Sequence, residues 1–406
     1  GRMTMGAAGV SGGEDGGLRR GMGVERAVER MVQSEARLGA GMKERGVSAK
    51  ARDEIVRYIS SFALYGFPES HSASFALIAY ASAYLKRHHP AAFLAGLLNS
   101  YPLGFYNPAT LVKDAQRHGV VVRPVDVTTS DWLCTLEPAD PGGAGVERPE
   151  PAVRIGLRYV GGLGQRAAEQ LIEQRAAAPF DGMPDLTKRV KLARDEITAL
   201  AELGALAKLP EAPGREHRRA ALWQVAALER DPRSLFAGLP PEARTQARSQ
   251  RGRGHKRKAG ASPLQELSPI EQTLADYRLS GLTTGPQILA YLREGLRRRN
   301  VLSAVELRSV EDGRFVRTAG HVIVRQHPGT AKGFTFLTLE DETGIANLFV
   351  PRDTFHQYRL VITTEQFLLC HGRMQVGAGN TCTLYTTAVE PLPFPAALDT
   401  SGHDFH

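Results

Sequence analysis

The chain has 406 residues, a formal net charge of +8 and a pI of about 9.5, with 51 Lys and Arg against 43 Asp and Glu. This length predicts about two to four domains, and the basic balance favours nucleic acid or another anionic surface as a partner, although a basic tail on an unrelated protein gives the same balance. Three scattered cysteines, Cys134, Cys370 and Cys382, argue against a disulfide framework and against a zinc site. With no secretory signal and no bilayer-length apolar stretch, we expect a cytoplasmic protein without a membrane partner.

The first half of the chain has the apolar spacing of helices. Residues 1–44 begin with a glycine-rich stretch and are expected to be a largely disordered start, whereas helices are predicted over 45–100 and 101–230. Ser48 is the predicted N-cap of one helix, and the next helix is predicted from about His71 to Lys86. The face of that second helix assigned to the core contains Phe75, Ile78, Ala79, Ser82 and Leu85.

The start of this second helix carries the polar cluster Glu69-Ser70-His71-Ser72. One interpretation is structural, with Ser70 capping the helix and His71 solvating its first turn. The other is an anion site, because a helix N-terminus offers free amides and a positive dipole end, to which a histidine adds a donor. Glu69 would compete with a bound anion. Ser70 and His71 are therefore candidate nucleotide-binding residues.

The segment "LRYVGGLGQRAAEQLIEQR", residues 157–175, matches the helix–hairpin–helix pattern h-x-x-h-x-G-h-G-x-x-x-A-x-x-h. In this pattern the glycines let the backbone approach a DNA phosphate, and the amides that open the second helix bind it without reading sequence. The candidate DNA-binding residues are Gly162, Leu163, Gly164, Gln165 and Arg166. An ordinary helical corner remains the alternative. A weaker copy at residues 197–209 is either a second DNA-binding hairpin or a structural one.

Residues 231–275 are predicted to be a basic linker, with seven Lys and Arg and no acid between Arg244 and Lys258. Five β-rich runs at fairly regular spacing follow, and they predict a five-stranded barrel of the OB-fold type within residues 276–398, before a tail at 399–406. The predicted fold class is thus a multidomain chain with a mainly α N-terminal body and a C-terminal β-barrel.

OB barrels bind single strands through aromatic platforms and a basic groove. The candidate platforms are Phe334, Phe336 and Phe349, and the candidate backbone contacts are Arg325, Lys332 and Arg352. Since one face of an alternating strand points into the core, any one of these phenylalanines is also a candidate core residue.

Catalytic and metal-binding motifs are missing from the sequence. It contains no P-loop, no H-E-x-x-H and no strand with the carboxylate set that holds a Mg²⁺ pair in a nucleotidyl transferase. We therefore assign no catalytic residue and no metal ligand. Glu340, Asp341 and Glu342 of "LEDETG" are predicted to form a hairpin turn.

Several of these segments together resemble one family. "FPESHS", "LNSYPLGFY" and the terminal "SGHDFH" are similar to the error-prone branch of the C-family bacterial DNA polymerases, the group that resembles the DNA polymerase III α-subunit. The hairpin segment and "LEDETGIANLFV" resemble that family's helix–hairpin–helix and OB regions. The replicative branch typically has a lysine where this chain has Glu69. The resemblance spans roughly residues 45–406 and identifies the chain as similar to the C-terminal portion of such an enzyme.

The resemblance implies that residues 45–100 are the end of the fingers domain and that Ser70 and His71 lie near the triphosphate of the incoming nucleotide. It also implies a damage-induced, template-directed polymerase that uses Mg²⁺ and dNTPs, binds primer–template duplex and single strand, and works with other translesion-synthesis proteins and the sliding clamp. The palm, with its three catalytic aspartates, has no counterpart in this sequence, so the chain alone is expected to bind DNA without polymerising. A fragment of a replicative α-subunit and a non-enzymatic hairpin and OB protein are the alternatives.

Overall fold

The computed structural model describes residues 38–64, 69–104, 106–139, 151–210, 218–227, 265–328, 333–377, 379, 381–393 and 403–405. The side chains of residues 58–64, 69–71, 227 and 403–405 lie outside that description. The chain divides into two compact units, residues 1–85 and 86–406. None of the helices in the described part of the chain combines the length and the apolar character needed to cross a membrane.

The first unit is built from helices. Residues 38–44 are helical, and they precede α1 (Ala49–Leu64) and α2 (Glu69–His88). The hydroxyl of Ser48 accepts the Ala51 amide at 3.4 Å, so the predicted N-cap is in place. Leu38 and Met42 are buried against Val47, Ile55 and Val56, and they form the small apolar core of this unit.

Helix α2 forms where the spacing predicts a helix, but its predicted core face is exposed. Phe75 is 58% exposed, Ile78 59% and Leu85 44%, and Leu77 and Tyr80 on other sides of the helix are exposed as well. Apolar spacing shows which residues share a face of a helix, and it carries no information on whether another element covers that face. The core assignment of this face is therefore wrong for the chain as it stands.

The second unit begins with a mainly helical body around one apolar core. Its helices are α3 (Pro90–Asn99), α4 (Pro108–Arg117), α5 (Gln165–Ala177), α6 (Met183–Arg189), α7 (Arg194–Glu202) and α8 (Arg218–Ala227). A small sheet in strand order β1–β3–β2 packs among them, formed by β1 (Val122–Arg123), β2 (Thr135–Glu137) and β3 (Ala152–Arg154).

The small sheet contains a buried ion cluster. Arg154, whose side chain is 4% exposed, binds both carboxylate oxygens of Glu137 at 2.7 and 2.9 Å, and Arg123 binds the same carboxylate. The hydrogen bond from Arg154 is the largest cause that lowers the pKa of Glu137 to about 2; burial opposes it, and the hydrogen bond from Arg123 adds to it. The charged form of Glu137 is therefore the one that stabilises the sheet.

A connecting segment joins the body to the barrel. It contains α9 (Pro269–Ser280), a 3₁₀ turn at Ile288–Tyr291, α10 (Arg293–Arg298), β4 (Val301–Leu302) and α11 (Ala304–Leu307). Helix α9 begins in a capping box, in which Ser268 and Glu271 bond each other's backbone, and ends at Gly281 in the left-handed conformation. It crosses residue 275, where the sequence predicts the end of the linker, and Tyr277 packs into the core of the body.

The C-terminal part is a closed barrel of five strands, which confirms the predicted fold class. The strands are β5 (Phe315–Gln326), β6 (Thr335–Glu340), β7 (Ile345–Val350), β8 (Phe367–Gly377) and β9 (Thr381–Pro391). They pair in the order β5–β6–β7–β9–β8, and β8 returns to β5. Two short strands, β4 and β10 (His403–Phe405), pair with β5 outside this circuit.

Alternation along the strands gives the barrel its core. In β7, Ala346, Leu348 and Val350 are buried, while Asn347 and Phe349 point outward. A helix between β7 and β8, α12 (Arg352–Thr364), packs on this core through the buried side chain of Ile362. The sequence did not predict α12, because it carries only a narrow apolar stripe.

Charged side chains join the body to the barrel. Arg117 of α4 contacts Glu340 at 2.9 Å, and Thr110 donates to the same carboxylate at 3.2 Å. Arg293 contacts Asp341 at 2.9 Å and also binds Glu342. The acids predicted to form a hairpin turn thus also anchor the barrel to the body.

Burial sets the protonation behaviour at this junction. It raises the pKa of Glu340, and the neighbouring Arg117 opposes this increase. Burial also lowers the pKa of Lys113 to about 8, although Glu340 opposes that shift. The Lys113 ammonium donates to the Gln116 side chain on its own helix and to the Gly285 carbonyl of the connecting segment. These two hydrogen bonds compensate for the hydration that the buried charge has lost.

Candidate nucleic-acid interface

The predicted helix–hairpin–helix has the apolar frame that its pattern requires. Leu157, Val160, Leu163, Ala168 and Leu171 are all at most 7% exposed. The first helix of the motif is shortened to a 3₁₀ turn at Leu157–Tyr159, and the second is α5, which begins after Gly164. The apolar side chains of the motif therefore anchor the hairpin between the two helices, and its glycines Gly161, Gly162 and Gly164 are exposed.

The glycines of the hairpin have different functions. The Gly161 amide donates to the Leu279 carbonyl at 2.6 Å, and a Cβ at this position would lie 2.5 Å from that oxygen. Gly161 is thus required for packing against α9. Gly162 has φ +84°, a conformation that favours glycine, and a Cβ there would meet nothing within 4 Å. Gly162 is the open point of the hairpin, as the pattern predicts.

A carboxylate from the neighbouring helix lies against the hairpin. The Gly164 amide donates to Oε1 of Glu196 at 2.9 Å, while Oε2 of Glu196 accepts the Ala193 amide at 2.7 Å and caps α7. In the pattern, the Gly164 amide is one of the groups that face a phosphate. Glu196 was not predicted from the sequence, since its spacing indicates only a helix cap and not a contact with the hairpin 32 residues away.

The polar residues at the start of α5 are exposed. Gln165 donates to Glu169 on its own helix at 2.9 Å, and Arg166 projects into solvent. Arg175, farther along α5, donates to the carbonyls of Val127 and Ser130 and contacts Asp131 at 2.9 Å. Arg166 is thus the basic side chain of this helix that is placed to reach a phosphate, whereas Arg175 holds the fold.

The weaker second copy of the motif forms a hairpin that is packed inward. Gly204 has φ +76°, as a hairpin glycine requires, but Leu203, Ala205 and Leu206 around it are buried. A Cβ on Gly204 would lie 3.1 Å from the Arg218 guanidinium nitrogen Nε. Arg218 in turn contacts Asp276 of α9 at 2.6 Å. These contacts favour the structural interpretation of this copy.

Aromatic side chains cross the outer face of the barrel in one row. Phe336 of β6, Phe349 of β7 and Tyr385 of β9 are direct cross-strand partners. The ring centroids of Phe336 and Phe349 are 5.4 Å apart, and those of Phe349 and Tyr385 are 5.8 Å apart. Phe334 stacks on Phe349 at 4.5 Å. The predicted platforms therefore lie together, and the sequence missed Tyr385 because its partner strand could not be assigned from local spacing.

A shallow groove accompanies these rings. It runs from the end of β5 across β6, β7, β8 and β9. Phe336 and Phe349 contribute to its lining, and its polar side chains are Gln326, Thr338, Asn347, Gln375, Thr381 and Thr383. Amide and hydroxyl groups, which can form hydrogen bonds, thus lie beside the aromatic rings. The aromatic row and this groove together form the candidate single-strand surface of the barrel.

The three predicted basic contacts of the barrel, Arg325, Lys332 and Arg352, differ in their surroundings. The Arg325 guanidinium donates to the Ile362 and Glu365 carbonyls at 2.7 and 2.5 Å, so it closes the end of α12. Arg352 is exposed, and its side-chain stem lies against Gly333. Lys332 falls outside the described residues. Ser70 and His71 lie in the first turn of α2, and their side chains are outside the description.

Comparison with family models matches both regions. A helix-hairpin-helix motif model matches residues 119–221, and an OB-fold nucleic acid binding domain model matches residues 316–392. The first range contains the hairpin at Gly162, and the second contains all five strands of the barrel except the first residue of β5. The hairpin thus lies in a region that matches a helix-hairpin-helix motif, and the aromatic row lies in a region that matches an OB-fold nucleic acid binding domain.

Curated relatives match over the whole chain. The chain is 43% identical over 406 residues to the "Error-prone DNA polymerase" of Anaeromyxobacter dehalogenans strain 2CP-C, of which it covers 34%. It is 44% identical over 402 residues to the protein of that name from Azoarcus sp. strain BH72 and covers 35% of it. The corresponding values for Burkholderia pseudomallei strain K96243 are 41% over 405 residues and 36%. The chain thus spans about a third of the length of these relatives.

Proposed function

We propose that this chain, a homologue over its whole length of the C-terminal third of error-prone DNA polymerases, is the part of such an enzyme that holds primer–template DNA. The hairpin at Gly162 and Arg166 would contact duplex backbone. The barrel would bind the single-stranded template. The observation that carries this proposal is the row formed by Phe336, Phe349 and Tyr385 on the face of an OB barrel.

Stacking explains why such a row suits a template strand. Every base has a π-face, so an aromatic platform holds unpaired bases without selecting their sequence. A duplex, whose bases are already stacked, gains nothing from these rings. The hairpin complements the barrel because its amides contact phosphate and are likewise independent of sequence. A template that contains damage can be held by both surfaces for this reason.

The activity of the complete protein is part of the proposal. It would be a DNA-directed DNA polymerase that copies damaged templates in the cytoplasm, with Ser70 and His71 near the triphosphate of the incoming dNTP and with Mg²⁺ at palm carboxylates outside this chain. The described residues contain no group of three or more His, Cys, Asp or Glu side chains able to hold a metal ion, so no step proposed for this chain passes through one.

Partners other than DNA would be further translesion-synthesis proteins and the sliding clamp. The name shared by the relatives favours this enzyme over a replicative α-subunit, and identity over the entire chain favours it over a non-enzymatic hairpin and OB protein.

Fluorescence anisotropy with a labelled single-stranded oligonucleotide tests the proposal. We expect Phe349→Ala to weaken binding by about 1–3 kcal/mol, the usual contribution of one stacked base. Tyr106→Ala removes another exposed aromatic ring, from the body, and serves as the matched control. Equal affinities for the two variants would contradict the single-strand assignment. Primer extension by the chain alone, in Mg²⁺ with dNTPs, would contradict the placement of the catalytic carboxylates outside it.

A further inference from the structure

The aromatic row on the barrel continues past Tyr385 onto two more strands. Tyr385 is the cross-strand partner of Arg373 on β8, and Arg373 is the partner of Phe315 at the start of β5. The Arg373 guanidinium lies over the Phe315 ring, 5.1 Å from its centroid. Phe315 is 60% exposed, more than Phe336 at 39%. Direct partners on neighbouring strands point to the same face of a sheet, so all of these side chains lie on the outer surface of the barrel.

Arginines surround this far end of the row. Arg317 lies two residues after Phe315 on the same face of β5 and donates to the Arg299 carbonyl at 3.4 Å. Arg299 and Arg314 are exposed, as are Arg317 and Arg373. In the part of the chain that the structure describes, none of these four has a carboxylate within ion-pair distance. The acids of the adjacent turn are Glu311 and Asp312, and Asp312 accepts the Val376 amide.

These four arginines differ from two arginines of the adjacent helix α10, which have acidic partners. On α10, Arg297 lies 3.8 Å from Glu306, and Arg298 pairs with Glu294. A guanidinium held over an aromatic ring keeps its N–H groups available for phosphate oxygens while its flat face is occupied. The combination of Phe315, Arg373 and Arg317 therefore offers one stacking surface and two phosphate contacts within a single cluster.

The cluster also lies at the border between barrel and body. Ala319, two residues beyond Arg317 on the same face of β5, is 2% exposed and packs into the core of the body. Arg299 directly follows α10, which belongs to the segment that joins the two parts. A single-stranded nucleic acid that continued beyond this end of the aromatic row would thus pass from the barrel to the surface of the body.

We propose that Phe315, Arg373 and Arg317, with Arg314 and Arg299 beside them, form a second subsite for single-stranded nucleic acid. This inference rests on the proposed function of the Phe336–Phe349 face and extends it. A single strand occupies the Phe336 end first and reaches Phe315 only when it is long enough to cross four strand spacings, about 19 Å at about 4.8 Å each. Bases stack on Phe315, and the arginines bind the phosphates that lead towards the body.

Anisotropy with fluorescein-labelled oligo-dT of 4, 8, 12 and 16 nucleotides tests the subsite, since this range covers the site sizes of OB domains. The variants are Phe315→Ala and Arg317→Ala, both at exposed positions, and Arg359→Ala on α12 is the control with the same loss of charge. We expect both test variants to leave dT4 affinity unchanged and to weaken dT12 and dT16 binding about fivefold or more. Arg317→Ala should also reduce the slope of log K against log salt by about 0.7, and Phe315→Ala should leave that slope unchanged.

The outcomes separate this inference from the function on which it rests. If Phe336→Ala weakens every length while Phe315→Ala and Arg317→Ala match Arg359→Ala throughout, the second subsite is refuted and the first stands. If the unmodified chain binds no oligo-dT at any length, the proposed function fails and the subsite with it. Photo-cross-linking to dT16 containing 5-iodouracil gives an independent readout: the inference requires a cross-linked peptide that contains Phe315, and adducts confined to peptides with Phe336 or Phe349 would overturn it.

Discussion

The Glu196 carboxylate binds the Gly164 amide, one of the hairpin amides to which the proposed function assigns a DNA phosphate, and this placement gives a sharp prediction. Its Oε1 atom accepts the Gly164 amide at 2.9 Å, and a phosphate on the same amide would have to lie within about 4 Å of the carboxylate. Glu196→Gln removes the charge and keeps the shape. We expect this variant to bind duplex DNA more tightly than the unmodified chain.

The magnitude follows from the distances. Two unit charges 4 Å apart repel by about 1 kcal/mol in water, and the hairpin is exposed, so the gain is about 1 kcal/mol or roughly fivefold in Kd. Stability moves in the opposite direction. Glu196 uses one oxygen for Gly164 and the other for Ala193, whereas glutamine has one oxygen, so one hydrogen bond of about 0.5–1.5 kcal/mol is lost.

The assay is anisotropy of a blunt labelled duplex at 50, 100 and 200 mM salt, with Tm measured on the same samples. Glu173→Gln is the control, because Glu173 is exposed two turns into α5 and its removal changes net charge equally. The gain for Glu196→Gln should shrink as salt rises, since screening weakens the repulsion. If both variants bind the duplex alike, the Gly164 amide does not face a phosphate and the hairpin assignment loses its main support.

Three further predictions concern the framework that positions the two surfaces. Gly161→Ala forces a Cβ to within 2.5 Å of the Leu279 oxygen and should lower the free energy of unfolding by about 1–3 kcal/mol in urea titration; an unchanged midpoint would contradict this packing. The pKa of Glu137 is lowered to about 2 from 4.5, so its ionised carboxylate should stabilise the fold above pH 4.5, and this stabilisation should be lost as pH falls from 4.5 towards 2. In unfolding measured over a pH series, a Glu137→Gln variant should lack this loss. Equal acid sensitivity of the variant and the unmodified chain would contradict a stabilising role of the Glu137 charge. Arg117→Ala leaves the carboxylate of Glu340 buried without its cation and should destabilise by about 3–5 kcal/mol in calorimetry, and a cost below 1 kcal/mol would mean that the junction does not depend on this pair.

Local patterns predicted the elements of this fold well. The hairpin glycines, the capping residue Ser48 and the five alternating strands each depend on neighbours within a few residues, and all three are present in the structure. The same patterns named Phe336 and Phe349 as candidate platforms and left open whether each belongs to the core. What sequence supplied here was the conformation of each segment and the residue types that suit a ligand.

Contacts between segments that are far apart in the sequence could not be predicted from local patterns. Glu196 contacts a hairpin 32 residues away, Arg325 donates to the carbonyls at the end of a helix, and Tyr385 joins Phe349 only because β9 pairs with β7. The exposed face of α2 illustrates the same limit, since spacing defines a face without defining what covers it. Tertiary pairing decided each of these cases, and one sequence carries little information on pairing.

The central claim is that the barrel holds a single strand while the hairpin holds duplex. The most direct test compares the affinity of the chain for a primer–template with a 12-nucleotide single-stranded overhang and for a blunt duplex of the same paired length, in one salt series. We predict tighter binding to the overhang substrate at every salt concentration, and loss of that preference in Phe349→Ala without loss of blunt-duplex binding. Equal affinity of the unmodified chain for the two substrates would contradict the claim.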